Sequence, residues 1–210
     1  AKNKGVKSIA YTYSEPIVWY EFVKDTAKLA KKEGLKNVLV TNGYINQSPL
    51  NELLPYLDAA NIDLKSFNNR FYKRYASAEV NSVKESIKTV ANNIHVEITT
   101  LIIEGINSDL NELNELFSWL ANIDKSIPLH LSRYFPAYKM SKGATKISTM
   151  EEAYEKAINK LEYVYLGNIA NSSKNNTYCP RCGEELIIRN GYSTSNNLNE
   201  AHCPNCDYGV

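Results

Sequence analysis

Short β-rich runs alternate with helical patterns along most of this chain, and that alternation restricts the fold more than any other feature. The runs are 7–13 (KSIAYTY), 37–41 (NVLVT), 60–64 (ANIDL), 94–103 (IHVEITTLII), 129–134 (LHLSRY) and 163–167 (YVYLG). After the first, Val18, Phe22, Ala27, Leu29 and Ala30 mark one face of a helix from Pro16 to about Glu33, with Gly34 as its stop. Leu50, Leu53 and Leu54 mark a short helix, and Val80 to Val90 another. Leu110, Leu113, Leu116, Phe117 and Leu120 mark a longer one, preceded by Ser108 and Asp109 as caps. Thr149, followed by Glu151 and Glu152, opens the last. Strands joined by helices of this length form βαβ units with right-handed crossovers, and so a parallel sheet. No G-x-G-x-x-G or P-loop occurs. The expected class is therefore α/β, an incomplete (β/α) barrel over residues 1–170.

All four cysteines lie in the last 32 residues, as Cys179-Pro-Arg-Cys182 and Cys203-Pro-Asn-Cys206, with 20 residues between the pairs. Two such knuckles supply the four thiolates that a tetrahedral Zn²⁺ takes, and iron fits the same cage. A disulfide is a poor alternative, because a C-x₂-C pair is tight for a structural bridge. His202 abuts Cys203, but the set is already complete with four sulfurs. Residues 171–177 fall in a polar stretch and read as a linker. Residues 178–210 then form a separate zinc ribbon, too small to fold well without its metal.

The 210 residues carry 24 basic and 23 acidic side chains, a net charge of +1. That balance lacks the basic footprint of a nucleic-acid binder, so no nucleic-acid partner is expected. No apolar run reaches the ~18 residues of a membrane span, and no secretory leader is visible, so no membrane partner and a cytoplasmic location are expected. The chain opens at Ala1 without a Met and enters a strand within eight residues, which reads as a chain cut from a longer one.

In parallel barrels the chemistry gathers at the C-terminal ends of the strands. Those ends offer Ser14 and Glu15, then Thr41 and Asn42, then Asp63 and Lys65, then Glu97, Thr99 and Thr100, then His130, Ser132 and Arg133. Asp63 and Lys65, two apart, share one face of a strand. They read as an ion pair in a cavity, fit for a zwitterionic ligand, or as a solvated pair at a loop start. Glu15 precedes Pro16 and suits a helix N-terminus with or without a ligand. Thr41-Asn42-Gly43 suits an ordinary turn as well as a pocket wall. His130 points opposite to Leu129 and Leu131, as a core histidine or a ligand.

Taken together, SIAYTYSEP (8–16), LVTNGY (39–44), NIDLKSF (61–67), IHVEITTLIIEG (94–105), PLHLSRYFPAYKM (128–140) and YVYLGN (163–168) resemble the radical S-adenosylmethionine (SAM) enzymes. The resemblance is to those called pyruvate formate-lyase activating enzyme-like, and within them to the radical SAM member of the AmmeMemoRadiSam system. It implies a partial barrel and reductive cleavage of SAM to a 5′-deoxyadenosyl radical for hydrogen abstraction. It also implies a [4Fe–4S] cluster, an electron donor such as flavodoxin or ferredoxin, and a substrate that includes proteins or peptides among its candidates. Residues 12–16 are similar to the family's Gly-Gly-Glu-Pro segment, which gives Glu15 the methionyl amine of SAM. Tyr13 and Ser14 stand where two glycines are usual. Thr41 and Asn42 match pocket positions, and Asp63 with Lys65 matches an Asp-x-Lys pair that contacts SAM. Thr100, His130 and Arg133 follow with looser alignment.

The cluster of that family needs thiolates in a C-x₃-C-x₂-C loop, and no such motif occurs in this sequence. The sequence therefore reads as the SAM- and substrate-binding part of such an enzyme, inactive alone, with 1–7 as the end of a preceding helix. The run 9–13 would be an unpaired edge, prone to self-association. Two other readings stand beside it. One is a barrel enzyme with Lys65 as a Schiff-base nucleophile, opposed by the neighbouring Asp63. The other is a non-catalytic barrel whose zinc ribbon docks a partner protein.

Overall fold

The computed structural model describes every residue from Ala1 to Val210 except Asn171 and Tyr192, which fall in the expected linker and the expected ribbon. The chain divides into two compact units, Ala1–Thr99 and Thr100–Val210. A six-stranded sheet follows chain order, β1-β2-β3-β4-β5-β6, the order of an incomplete (β/α) barrel.

The first unit begins with a 3₁₀ turn at Lys2–Lys4 and β1 (Ser8–Tyr11). A 3₁₀ turn at Pro16–Trp19 leads into α1 (Tyr20–Lys32), then β2 (Lys36–Thr41), α2 (Gln47–Leu53) and β3 (Ala59–Asp63). Next come α3 (Asn69–Phe71), running into a π-helical turn at Tyr72–Ala76, and α4 (Val80–Ala91). β4 (His95–Ile102) crosses into the second unit. The strands pair in parallel, with Tyr11 opposite Leu39, Leu39 opposite Ala60 and Asp63 opposite Thr99. Alternate residues point to opposite faces, so Leu39, Ala60, Ile62, Val96 and Ile98 share the buried face. Asn61, Asp63, Glu97 and Thr99 share the other, which is only partly buried.

The face expected for α1 needs correction. Val23, Ala27 and Ala30, at i, i+4 and i+7, are the buried residues. Val18, Phe22 and Leu29 are 82%, 64% and 61% exposed. Val18 lies in the 3₁₀ turn, off the α-helical period, and Phe22 and Leu29 fall about a third of a turn round the cylinder from the 23/27/30 stripe.

A polar knot secures the N-terminal side of this sheet. Asn37 is fully buried. Its Oδ1 accepts from the Tyr11 hydroxyl at 2.8 Å, and its Nδ2 donates to the carbonyls of Ala27 and Tyr56, both at 2.9 Å. Its backbone N–H donates to Asp58 at 2.8 Å. One side chain thus ties β1, β2, α1 and the turn before β3. Burial pushes the Asp58 carboxyl upward, but the Lys36 ammonium and the Asn37 N–H outweigh it and hold it below the usual carboxylate value. Replacing Asn37 by Ala leaves the buried Tyr11 hydroxyl and the Tyr56 carbonyl without this partner and takes a second bond from the Ala27 carbonyl, at ~1–3 kcal/mol for each group left unsatisfied. We expect Asn37→Ala to lower the urea midpoint with an unchanged m-value, by roughly 3 kcal/mol of stability in all.

The second unit holds the end of β4, then α5 (Leu110–Ile123), β5 (Leu129–Arg133), α6 (Ile147–Ile158) and β6 (Val164–Gly167). Asp109 caps α5 as expected, accepting from the N–H groups of Asn111 and Glu112 at 3.0 Å. Leu113, Leu116, Phe117 and Leu120 are its buried stripe. β5 and β6 are parallel, with His130 opposite Tyr165 and Ser132 opposite Gly167. A separate antiparallel sheet follows, of β7 (Thr177–Tyr178), β8 (Glu185–Asn190) and β9 (Ser193–Asn196). Among the described residues no helix is long and apolar enough to cross a membrane.

Candidate functional site

The strand ends of the first unit gather polar groups around Glu15. Its Oε1 accepts from the Thr41 hydroxyl at 2.6 Å and from the Ile17 N–H at 3.2 Å. Its Oε2 accepts from the Asn42 N–H at 2.7 Å. This carboxylate therefore caps the Pro16–Trp19 turn and fastens it to the end of β2. An ionised carboxylate has about four acceptor sites, so roughly one remains for a ligand cation. Gly43 makes the next turn tight: its φ is +70°, and a Cβ there would lie 2.6 Å from Ile62 Cγ2. The Thr41 hydroxyl accepts the Gly43 N–H at 3.2 Å, and Asn42 Oδ1 accepts the Tyr44 N–H at 2.8 Å. Tyr13 takes φ +39°, in the region that glycine enters freely, and Ser14 is exposed.

At the end of β3 the Lys65 ammonium donates to Asp63 Oδ2 at 2.6 Å, with the two side chains 39% and 38% exposed. Such a half-open pair adds little to stability, ~0–1 kcal/mol, and both charges remain reachable. Tyr72 positions it. This tyrosine is buried in the π-helical turn, and its hydroxyl accepts the Lys65 backbone N–H at 3.0 Å. Burial, opposed by that N–H but helped by the nearby Asp63 charge, pushes its pKa far up, so it stays a phenol. Sequence reading missed Tyr72, because residues 67–76 show no apolar period and tyrosine is common in this chain. Beside the pair on the same face, Thr99 donates to Asn61 Oδ1 at 2.9 Å.

The first unit thus brings Glu15, Thr41 and Asn42 together and sets Asp63 with Lys65 at the next strand end. An acceptor with spare capacity, an accessible ammonium and an accessible carboxylate make a donor set suited to a ligand with an amine, a carboxylate and hydroxyls. Among the described residues, no cysteine stands at these strand ends, so the residues present do not fit a [4Fe–4S] cluster.

The other three residues lie in the second unit. Thr100 is fully buried on the packed face of β4, and it is Thr99 that shares a face with Asp63. His130 stacks on Tyr165, centroids 5.2 Å apart. Arg133 donates from Nε to the Thr145 carbonyl at 2.7 Å and lies over the Phe135 ring, holding the segment that follows β5.

The four cysteines converge. Their Sγ atoms all lie within 4.8 Å of one another, and Cys179–Cys206 and Cys182–Cys203 approach to 3.6 Å. A tetrahedral ion with ~2.3 Å bonds to sulfur needs edges of ~3.8 Å, so the cluster could hold one. The knuckles repeat each other. The N–H of Cys179 donates to the Glu184 carbonyl, and that of Cys203 to Tyr208, both at 2.8 Å. Gly183 and Asp207, equivalent in the two turns, both take positive φ, +77° and +56°. The Glu184 N–H holds the Cys182 thiol down at about 7, while burial pushes Cys206 up to about 12. Four crowded thiols resist ionising together, and a cation at their centre would remove that obstacle.

Comparison with known proteins adds to this geometry. The family described as the Radical SAM superfamily matches residues 1–120. An uncharacterized protein of Methanocaldococcus jannaschii, MJ0808, is 42% identical over 185 residues, 86% of this chain and 55% of that protein. The pyruvate formate-lyase 1-activating enzyme of Escherichia coli is 30% identical over 124 residues, 55% of this chain and 50% of the enzyme. The chain thus spans about half the length of the curated relatives it matches. Among solved structures, a domain of a pyruvate-formate lyase-activating enzyme from Bacteroides vulgatus shares the fold. Its TM-score is 0.68 at 19% identity, covering 78% of this chain and all of that domain.

Proposed function

This chain belongs to the radical SAM superfamily, and from that premise we propose that the ends of β1, β2 and β3 bind S-adenosylmethionine. The observation that carries the proposal is the Glu15 carboxylate, already fixed by Thr41, Asn42 and Ile17 and left with room for one more donor. The methionyl ammonium is that donor. Lys65 faces the methionyl carboxylate, and Asp63 accepts from the amine or the ribose hydroxyls. Bound SAM supplies the radical chemistry of the family, and the residues of this chain bind and orient it.

We place the chain among activating-enzyme-like members, with a protein or peptide substrate and an external reductant. The E. coli relative and the "(2S)-3-sulfopropanediol dehydratase activating enzyme" of Klebsiella oxytoca, 23% identical over 109 residues, support that placement by name. Because the first 178 residues hold no thiolate, these 210 residues alone are proposed to bind SAM without cleaving it. The C-terminal cysteines are proposed to hold a structural Zn²⁺. Lys65 is a poor Schiff-base nucleophile, since its nitrogen is engaged by Asp63 at 2.6 Å.

Asp63→Ala tests the binding assignment. It should weaken SAM binding roughly tenfold, the effect of one lost hydrogen bond to a charged group, while metal content and melting stay unchanged. Equal affinity in the variant and the parent would remove Asp63 from the site.

A further inference from the structure

A cavity of about 380 Å³ opens within the second unit. That size falls in the range of small-molecule sites. His130 and Tyr165 line it from β5 and β6, Ile169 and Ala170 from the segment after β6, and Arg189 from β8 of the ribbon. Arg189 is held in place by one nitrogen. Its Nη1 donates to the Asn175 carbonyl at 2.8 Å and to the Thr177 hydroxyl at 2.9 Å, which uses both hydrogens of that nitrogen. The guanidinium lies 5.1 Å from the centroid of Tyr165, whose own hydroxyl is 3.0 Å from that of Thr177.

The rest of that guanidinium is uncommitted. Its Nε–H and the two hydrogens of Nη2 bond to no described residue, and half-buried Arg189 makes no ion pair with one. Nε–H and one Nη2–H run parallel along one edge of the fork, the geometry that takes both oxygens of a carboxylate at once. Removing a charge from water without a counterion is costly, and among the described residues lining the cavity there is no Asp or Glu to supply one. Charge and lining together select the anion. Arg189 is the one arginine or lysine among those residues, so it balances a monoanion. A phosphate monoester, at about −1.5 to −2 near neutral pH, would leave charge uncompensated. Tyr165, Ile169 and Ala170 offer the rest of a ligand apolar surface.

We propose that this cavity binds a monocarboxylate with a small apolar body. Arg189 takes both carboxylate oxygens through Nε and Nη2, and Tyr165, Ile169 and Ala170 contact the body. The ribbon thereby acts as a specificity element, since β8 carries the guanidinium. The site does not depend on the SAM assignment.

The test is an NMR titration of the ¹⁵N-labelled, zinc-loaded chain with benzoate, methyl benzoate and phenyl phosphate, which share one ring and differ in charge. Benzoate should shift the Arg189 Nε–H resonance and the amides of β6 and β8. Methyl benzoate should bind about tenfold more weakly or worse, the effect of losing a hydrogen bond to a charged group. Phenyl phosphate should bind no more tightly than benzoate. Arg189→Gln should weaken benzoate about tenfold or more and leave methyl benzoate as it was. No saturable shift with benzoate, or equal affinity for benzoate and its ester in the parent chain, would overturn the proposal even if R189Q failed to fold. So would unchanged benzoate affinity in a folded R189Q, or tighter binding of phenyl phosphate. Displacement of benzoate by SAM would overturn it too, since the cavity would then be part of the SAM site.

Discussion

Stripping the metal from Cys179, Cys182, Cys203 and Cys206 is expected to unfold residues 178–210 while the strands of Ala1–Thr99 keep their protection. The ribbon has little else to hold it. Among its described residues Leu186 is, besides the cysteines, the one fully buried apolar side chain, with Ile187, Leu198 and Tyr208 packed half-buried around it. A buried leucine is worth ~1.5–3 kcal/mol, whereas ordering backbone costs ~1–2 kcal/mol per residue. The ion is the largest single contribution available to it, since a structural Zn²⁺ contributes ~10–16 kcal/mol at neutral pH. Cys203→Ser should act like a chelator, since it removes a buried thiolate and one corner of the cage. Amide exchange with and without chelator reads the outcome. Loss of protection in β1 to β3 as fast as in β8 would show that the ribbon has no separate stability.

Glu15→Gln carries the second large effect, and it acts on fold and ligand together. The amide nitrogen must face either the Asn42 N–H or the Ile17 N–H, which now meet Glu15 at 2.7 and 3.2 Å. Donor then opposes donor, and the charge that strengthened three hydrogen bonds is gone. Hydrogen bonds to charged groups are worth ~1.5–3 kcal/mol, so a stability loss of about 2 kcal/mol is expected. SAM affinity should fall about 100-fold, as the amine loses a charged acceptor and the acceptor's support moves. The measurement is thermal melting with and without SAM. A variant that melts lower but is stabilised by SAM as much as the parent would leave Glu15 a helix cap and nothing more.

The strands were legible because each is a short β-rich run between helix signals, and all six lie within two residues of the expected bounds. Faces were harder to read. On α1 the exposed Val18, Phe22 and Leu29 drew the eye because hydrophobicity alone does not say which stripe meets the sheet. Thr100 and Thr99 differ by one position, and only strand register decides which of them shares a face with Asp63. The buried Asn37 and Tyr72 left no pattern, since each acts through single long-range hydrogen bonds. Glu15, Asp63 and Lys65 came from the resemblance more than from spacing. The meeting of Arg189 with Tyr165 joins residues 24 positions apart across two sheets, which no local period encodes.

The central claim is that the strand ends of β1 to β3 hold S-adenosylmethionine, and calorimetric titration of the zinc-loaded chain with SAM tests it most directly. Saturable binding at one site, weakened about 100-fold by Glu15→Gln and retained by R189Q, is the predicted result. No saturable binding by a folded parent chain, or equal binding by parent and E15Q, would contradict it.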